Sequence, residues 1–423
     1  MKNDGWRDTR FGDVTLNFDS IRVPVKEADR RTGKYPYYGA SGVIDHVEGY
    51  LFDGTYLLVA EDGANLLSRS TPIAVLAHDK FWVNNHAHII QGNGKDALTE
   101  FLCYWLAEND ISGFVTGSAQ PKLTQDALNR IPINIPSLAI QREICRILGT
   151  LDDKIELNRR MNHSLEALAR ALFQSWFVDF DPVTAKAAGR QPIGMSAETA
   201  AFFPDSFEES SLGQIPKGWK AGRLGDIANL LNGFAFSSRD WIDNGVPVVK
   251  IGSVKPGIVD LTNVSYVAEA IADNANRFRL RTADLLIGMT GYVGEVGLVP
   301  PTTVRPLLNQ RVGKFILEEE GTKALAFIYC LTRDPEFKAN VESKAYGTAQ
   351  ANISSDDILS ISTVVPDVIT RGEFNRLFQP IMDRILANTA SSHHVASLRD
   401  ALLPRLLSAE LRVKDAERLA ESA

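Results

Sequence analysis

The sequence predicts an α/β (α+β) protein built as a pseudo-twofold tandem duplication. Two similar, strand-rich globular domains are separated by two long antiparallel helices forming a coiled coil. Three observations predict this. Gly117-Ser118-Ala119-Gln120 returns as Gly347-Thr348-Ala349-Gln350, at an offset of 230 residues. The match then runs without a gap through Asp126/Asp356, Pro136/Pro366, Asp153/Asp383, Asn158/Asn388 and Leu172/Leu402. After each proline the apolar spacing changes from strand-like to helical. A unit repeated once at so long a period is a duplicated domain; solenoid repeats are far shorter.

Each repeat opens alike. Gly5-Trp6 and Gly218-Trp219 precede Arg10-Phe11-Gly12-Asp13 and Arg223-Leu224-Gly225-Asp226. Short β-prone runs follow, broken by Gly, Pro, Asn and Asp: Tyr56–Ala60, Ile73–Leu76 and His88–Ile90, then Val246–Ile251, Asp284–Met289 and Lys314–Leu317. Turn residues at that spacing predict compact strand-rich units. Short helices are expected over Leu98–Ala107 and Lys323–Leu331, each followed by the Gly-x-Ala-Gln loop and a strand ending in proline. Offsets vary in the opening part of each repeat and are constant in the closing part, so variable readers are mounted on a fixed frame.

Ile140, Ile144, Ile147, Leu148, Leu151, Ile155, Leu165, Leu168, Leu172 and Trp176 recur mostly at spacings of three and four. They mark an amphipathic helix of about 40 residues, about 60 Å long. Phe374, Leu377, Phe378, Ile381, Ile385, Val395, Leu398, Leu402 and Leu406 mark a second, with Pro380 and Pro404 as expected kinks. Helices so long bury a stripe best against one another. The predicted layout is therefore a first domain over 1–137, a helix over 138–178, a connector over 179–217, a second domain over 218–367, a helix over 368–413 and a tail over 414–423. The connector reading rests on Pro192, Pro204, several serines and the Glu208-Glu209 pair.

The 423 residues suffice for two or three domains, and 44% apolar with 23% charged residues is ordinary for a soluble protein. No apolar run is long enough for a membrane span and no secretion signal opens the chain, so a cytoplasmic protein is expected. Three distant cysteines, Cys103, Cys145 and Cys330, do not suggest a disulfide framework or zinc site. The net charge of −7 counts against an autonomous nucleic-acid binder, but not against one that shares the electrostatic task with a partner.

Catalytic patterns are absent. Gly92-Asn93-Gly94-Lys95 lacks the spacing of a phosphate loop, and Asn134-Ile135-Pro136-Ser137 lacks the second proline and aromatic of an amino-methyltransferase signature. His86 and His88 lack a third ligand, so structural histidines are expected there. Groove reading calls instead for Arg, Lys, Asn and Gln on loops. The first repeat offers Lys34, Tyr37, Tyr38, Ser41, Arg69, Asn84, Asn85 and His86. The second offers Ser237, Ser238, Arg239, Lys250, Lys255, Tyr292, Asn309, Gln310 and Arg311. Gly117, Gln120, Gly347 and Gln350 occupy matching positions in two divergent halves, so they build a loop and do not read a particular base.

These motifs carry a family resemblance. Pro216-Lys217-Gly218-Trp219 with Leu224-Gly225-Asp226-Ile227 resembles the domain opening of specificity subunits of type I restriction–modification systems. Similar to that family too are Gly117-Ser118-Ala119-Gln120-Pro121-Lys122-Leu123, Pro136 and Gln141-Arg142-Glu143-Ile144. So is the central Leu172-Phe173-Gln174-Ser175-Trp176-Phe177-Val178-Asp179-Phe180-Asp181-Pro182. The second copy departs from the pattern with Gln350-Ala351-Asn352-Ile353 and has no Trp-Phe segment. The resemblance implies two target recognition domains reading a bipartite double-stranded DNA sequence, with the helices as spacer. It implies partners that do the chemistry: two modification subunits that bind S-adenosylmethionine and methylate adenine, and restriction subunits that use ATP and Mg. No cofactor or metal is expected in this chain. The rival readings are a coiled-coil scaffold that binds no DNA and a degenerate DNA methyltransferase or nuclease.

Overall fold

The computed structural model describes residues 5–117, 119–317, 325–347 and 351–421. The chain forms two compact units. The first comprises residues 1–155 with 394–423, and the second residues 156–393.

In the first unit, strand Trp6–Arg10 pairs antiparallel with Pro132–Pro136, joining the start of the repeat to its end. One sheet runs in the order Thr15–Asn17, Ala87–Gly92, Tyr56–Ala60, Ala74–Ala77. A second runs Gly42–Val47, Thr32–Gly39, Lys80–Val83, Phe52–Asp53, and pairs Tyr37 and Tyr38 parallel with Trp82 and Val83. The strand Tyr56–Ala60 has the bounds its Tyr-Leu-Leu-Val-Ala pattern predicts. Helix Thr99–Glu108 buries Phe101, Leu102, Trp105 and Leu106 against the first sheet.

The second unit repeats this plan. Strand Lys220–Arg223 pairs with Ser362–Val365. Ala228–Asn232, Val312–Leu317, Leu285–Gly288, Val296–Leu298 and Gly257–Ile258 form one sheet. Trp241–Ile242, Ser265–Val267, Val246–Val249 and Leu307–Leu308 form the other, where Val248 and Val249 pair parallel with Leu307 and Leu308. Helix Leu325–Thr332 stands where Thr99–Glu108 stands in the first unit; a further helix, Pro335–Lys344, was not foreseen.

The two long helices are Leu138–Phe173 and Val368–Leu407. The second is a single helix of 40 residues that runs through Pro380 and Pro404. An internal proline forfeits one backbone hydrogen bond; burial of Phe378 and Met382, each 1% exposed, holds the helix across Pro380. Within the first unit Ile144, Ile147 and Leu151 share a core with Val395, Leu402 and Leu406. There the Arg399 guanidinium donates to Asp152 Oδ1 at 2.7 Å. Within the second unit Asn158 Nδ2 donates to Ser391 and Ser392, and Asn388 Nδ2 donates to Asn162 Oδ1 at 2.8 Å. Numbers rise along one helix as they fall along the other, so the pair is antiparallel.

Two segments differ from expectation. The first α-helix ends at Phe173 and Gln174–Val178 continue as one π-helical turn. Residues 179–217 are no loose connector: they form helices Asp181–Ala187 and Ala197–Ala201 and the hairpin Phe207–Ser210/Gly213–Pro216. Two apolar anchors, Val183 and Phe203, are at most 2% exposed and fix the segment into the core of the second unit. At the other end, the expected tail is a helix, Val413–Glu421, with Ala416 fully buried.

Candidate nucleic-acid interface

The strand Tyr56–Ala60, paired on both sides, delivers Glu61, Asp62 and Gly63 at its C-terminal end, where a second loop is hydrogen-bonded onto them. Thr116 and Lys122 exchange two backbone bonds of 2.8 Å. Gly63 N donates to Pro121 O at 3.0 Å and Leu123 N to Glu61 O at 2.8 Å. The second unit has the same bonds from different residues. Tyr346 and Asn352 exchange two of 2.8 Å, Gly291 N donates to Ala351 O at 2.8 Å, and Ile353 N to Met289 O at 3.0 Å. Gly117 explains part of the repeated motif: its φ is +82°, and a Cβ there would lie 2.6 Å from Gln120 O. Gly347, at φ +110°, keeps the same left-handed backbone. Gln120 is exposed; Gln350 lies outside the described residues.

A third loop completes each cluster. Glu61 N donates to His86 O at 2.9 Å, and Met289 N to Arg311 O at 3.2 Å. Asn84 N donates to Tyr38 O and Asn309 N to Val249 O. The Asn84 side chain accepts from His86 N, and the Asn309 side chain from Arg311 N. Both asparagines are buried, at 7% and 9% exposure. They make the turn; the next two residues, Asn85-His86 and Gln310-Arg311, are exposed.

The remaining candidates divide by burial. Lys34 and Ser41 are exposed on or beside the hairpin Thr32–Gly39/Gly42–Val47. Ser237, Ser238 and Arg239 are exposed on a turn held by Asp240, which accepts from Ser237 N at 2.7 Å. Tyr292 is 59% exposed with Lys255 Nζ 5.5 Å from its ring centre. Lys250 Nζ lies 3.5 Å from the Trp241 ring centre, and burial pulls its pKa down. These positions suit contact with a ligand. Four others do not. Tyr37 is 1% exposed, with its hydroxyl bonded to the Val25 backbone, so it is a core residue. Tyr38 is half-buried edge-on to Phe81, and burial raises its phenol pKa. Asn84 and Asn309 brace turns. Arg69 is also a brace: its guanidinium donates to the carbonyls of Leu106, Ala107 and Asn109 and so caps helix Thr99–Glu108.

A polar network, of which only the structural role of His88 is legible in the sequence, lies under the first cluster. His88, 1% exposed, has Nδ1 2.6 Å from Asp19 Oδ2 and Nε2 2.8 Å from Leu123 O. Arg22 donates to Glu61 at 2.6 Å and to Ala87 O at 2.9 Å, and Lys122 Nζ lies 3.3 Å from Glu61. Burial alone would raise the Asp19 pKa, but the bond and charge of His88 and the Ile89 N–H outweigh it, so the pKa falls below the usual carboxylate value. Glu61 behaves likewise: burial opposes ionisation, and Arg22 with His88 more than compensates. No spacing rule connects Asp19 to His88, which are 69 residues apart.

Among the described residues no group of three or more His, Cys, Asp or Glu side chains is placed to hold a metal. No helix among them is long and apolar enough to cross a membrane. The three cysteines are free, and burial pushes each thiol up to about 12.

Comparison with known proteins bears on these paired clusters. The model of the type I restriction modification DNA specificity domain matches twice, over residues 3–167 and 216–370. The type I restriction enzyme HindI specificity subunit of Haemophilus influenzae is 26% identical over 380 residues, covering 79% of this chain and 82% of that one. The MjaIX specificity subunit of Methanocaldococcus jannaschii is 26% identical over 374 residues, covering 85% and 80%. The crystal structure of a type I restriction-modification S subunit from M. genitalium shares the fold, with a TM-score of 0.60 at 14% identity over 96% of this chain and 97% of that one. With both repeats matched, each carrying the same three-loop cluster, the chain belongs to the family of type I restriction–modification DNA specificity subunits.

Proposed function

We propose that each unit reads one half of a bipartite double-stranded DNA target, through the three-loop cluster and its neighbouring turns. The observation that carries this reading is the pair of clusters: the same backbone bonds hold both, while the exposed side chains differ. Asn85, His86, Lys34 and Ser41 serve the first half-site. Gln310, Arg311, Tyr292, Lys255, Lys250 and the Ser237–Arg239 turn serve the second. Arg and Lys suit guanine or phosphate, and Asn and Gln suit adenine. The long helices act as the spacer that fixes the gap between half-sites.

The chain works in complex with other restriction–modification subunits and DNA. In our reading these are two modification subunits, which bind S-adenosylmethionine and methylate adenine, and restriction subunits, which use ATP and Mg. The chain itself is non-catalytic and cytoplasmic and binds no cofactor. Modified-base sequencing of host DNA with and without this gene tests the proposal. A discontinuous two-part methyladenine motif that disappears on deletion is the expected result; an unchanged methylome overturns it. Labelled S-adenosylmethionine retained by the purified chain alone would favour the methyltransferase reading.

A further inference from the structure

The repeat duplicates a socket as well as a reader, and only one of the two sockets is filled by the described chain. In the second unit Trp176 and Phe374 meet edge to face at 5.5 Å, with Trp219 on the strand side and the fully buried Val183 on the following helix. Into this aromatic nest drops Phe203, 2% exposed, its ring 4.9 Å from Trp176 and 6.4 Å from Trp219. Phe203 directly follows the C-cap of the short helix Ala197–Ala201, whose N-terminus Ser196 caps by accepting from Thr199 N. The plug is also held by polar bonds. Thr199 donates to Glu373 at 3.1 Å, Thr370 donates to Phe202 O at 3.1 Å, and Lys186 donates to the carbonyls of Ala200 and Phe203.

The offset of 230 residues maps this nest onto the first unit. Trp176, Val183, Thr370 and Phe374 become Leu406, Val413, Ile140 and Ile144, and the matching repeat openings make Trp6 the counterpart of Trp219. Trp6, Ile140, Ile144, Leu406, Leu411 and Val413 do line one apolar cavity, of about 450 Å³. Among the described residues no aromatic side chain stands where Phe203 stands. The half-buried Trp6 faces this space, whereas Trp219 is 3% exposed. The charges are complementary as well. The plug segment 196–209 carries Glu198, Asp205, Glu208 and Glu209 and no Lys or Arg. The cavity rim carries Arg412, Lys414 and Arg418 against the single acid Asp415.

We propose that this cavity is a docking socket for a protein partner in the complex. Its occupant is a short, acidic, capped helical turn from another polypeptide that ends in an aromatic residue, as residues 196–203 do in the second unit. Buried aromatic anchors in a preformed apolar pocket dominate the affinity of such contacts, and rim charges speed and select them.

The test uses the full chain and a fluorescein-labelled peptide of residues 194–206, followed by anisotropy. Saturable binding of one peptide per chain is expected. Phe203→Ala in the peptide should weaken it at least tenfold, as should Leu411→Glu in the protein. Because Leu411 is partly buried, the exposed pair Arg412→Glu/Arg418→Glu gives a second readout: weaker binding whose salt dependence is lost. No binding up to millimolar peptide, or equal binding of the Phe203→Ala peptide, overturns the socket. In the assembled complex, a photo-crosslinker at Leu411 should capture a partner subunit. Capture of a second copy of this chain, or of no subunit, overturns the assignment to a partner. Neither readout depends on DNA recognition, so failure of the half-site reading leaves this test intact.

Discussion

At the residue scale, the interface separates side chains that hold shape from side chains that display chemistry. Asn309 is buried and bonded to Arg311 N, whereas Arg311 is exposed beyond it. Arg311→Ala should leave the fold intact and change DNA binding in one of two measurable ways. If Arg311 contacts a base, the methylation motif relaxes at one position of one half-site and discrimination falls by about 1–3 kcal/mol. If it contacts a phosphate, affinity falls alike on all sequences and the salt slope drops by about one. Asn309→Ala should instead cost stability, about 1–3 kcal/mol, because the buried turn loses its acceptor. The Asp19–His88 pair makes a pH prediction. The folded pKa of Asp19 lies below its ordinary value, so its contribution is fully present above that ordinary value and is lost as pH falls through the folded one. The wild-type melting temperature should therefore fall more steeply from about pH 4 to about pH 2 than that of Asp19→Asn. At neutral pH Asp19→Ala should destabilise by about 3–5 kcal/mol, since it leaves a buried charged network unpaired.

At the element scale, periodicity was the most legible signal. The Tyr56–Ala60 strand and both long helices follow directly from apolar spacing. The Asn-Asn-His and Asn-Gln-Arg tripeptides stood out as polar residues next to β-prone runs. Their internal division could not be read, since which asparagine turns inward depends on the parallel pairing of strands far apart in sequence. Tyr37 and Arg69 were misread for the same reason: a tyrosine on a half-polar strand and an arginine after a short helix look like surface until long-range packing places them. Residues 179–217 were misread through composition, because Pro, Ser and Glu outnumber the few anchors that decide burial. Where the long helices face each other in the second unit they share a polar layer of Asn158, Asn162 and Asn388, in which the first and last are 2% and 3% exposed. Polar groups inside a helix pair fix register at some cost in stability. Asn388→Leu should cost about 1–3 kcal/mol by stripping Asn162 Oδ1 of its donor. The double change Asn162→Leu/Asn388→Leu should recover most of that and admit a second register, which cysteine cross-linking along the pair would detect.

At the scale of the whole molecule, duplication explains what is constant and what is not. The backbone bonds between loops recur residue for residue, and the closing part of each repeat keeps its length. Inserting one turn into each long helix should therefore change the spacer of the methylated motif and leave both half-sites as they were; altered half-sites would count against a spacer role. Replacing residues 1–116 by those of a relative should rewrite one half of the motif only.

One further consequence comes from the way the loops are tied together. Main-chain amides and carbonyls make nearly all of those ties; Asn85, His86, Gln310 and Arg311 are exposed beside them, His86 with its Nδ1 2.7 Å from Asp62 Oδ2. Randomising these four positions should leave most variants folded, since exposed substitutions away from caps and cores shift stability by about 0.5 kcal/mol or less. Such a library would uncouple foldability from vocabulary, so that new DNA preferences could be selected without first repairing a damaged scaffold.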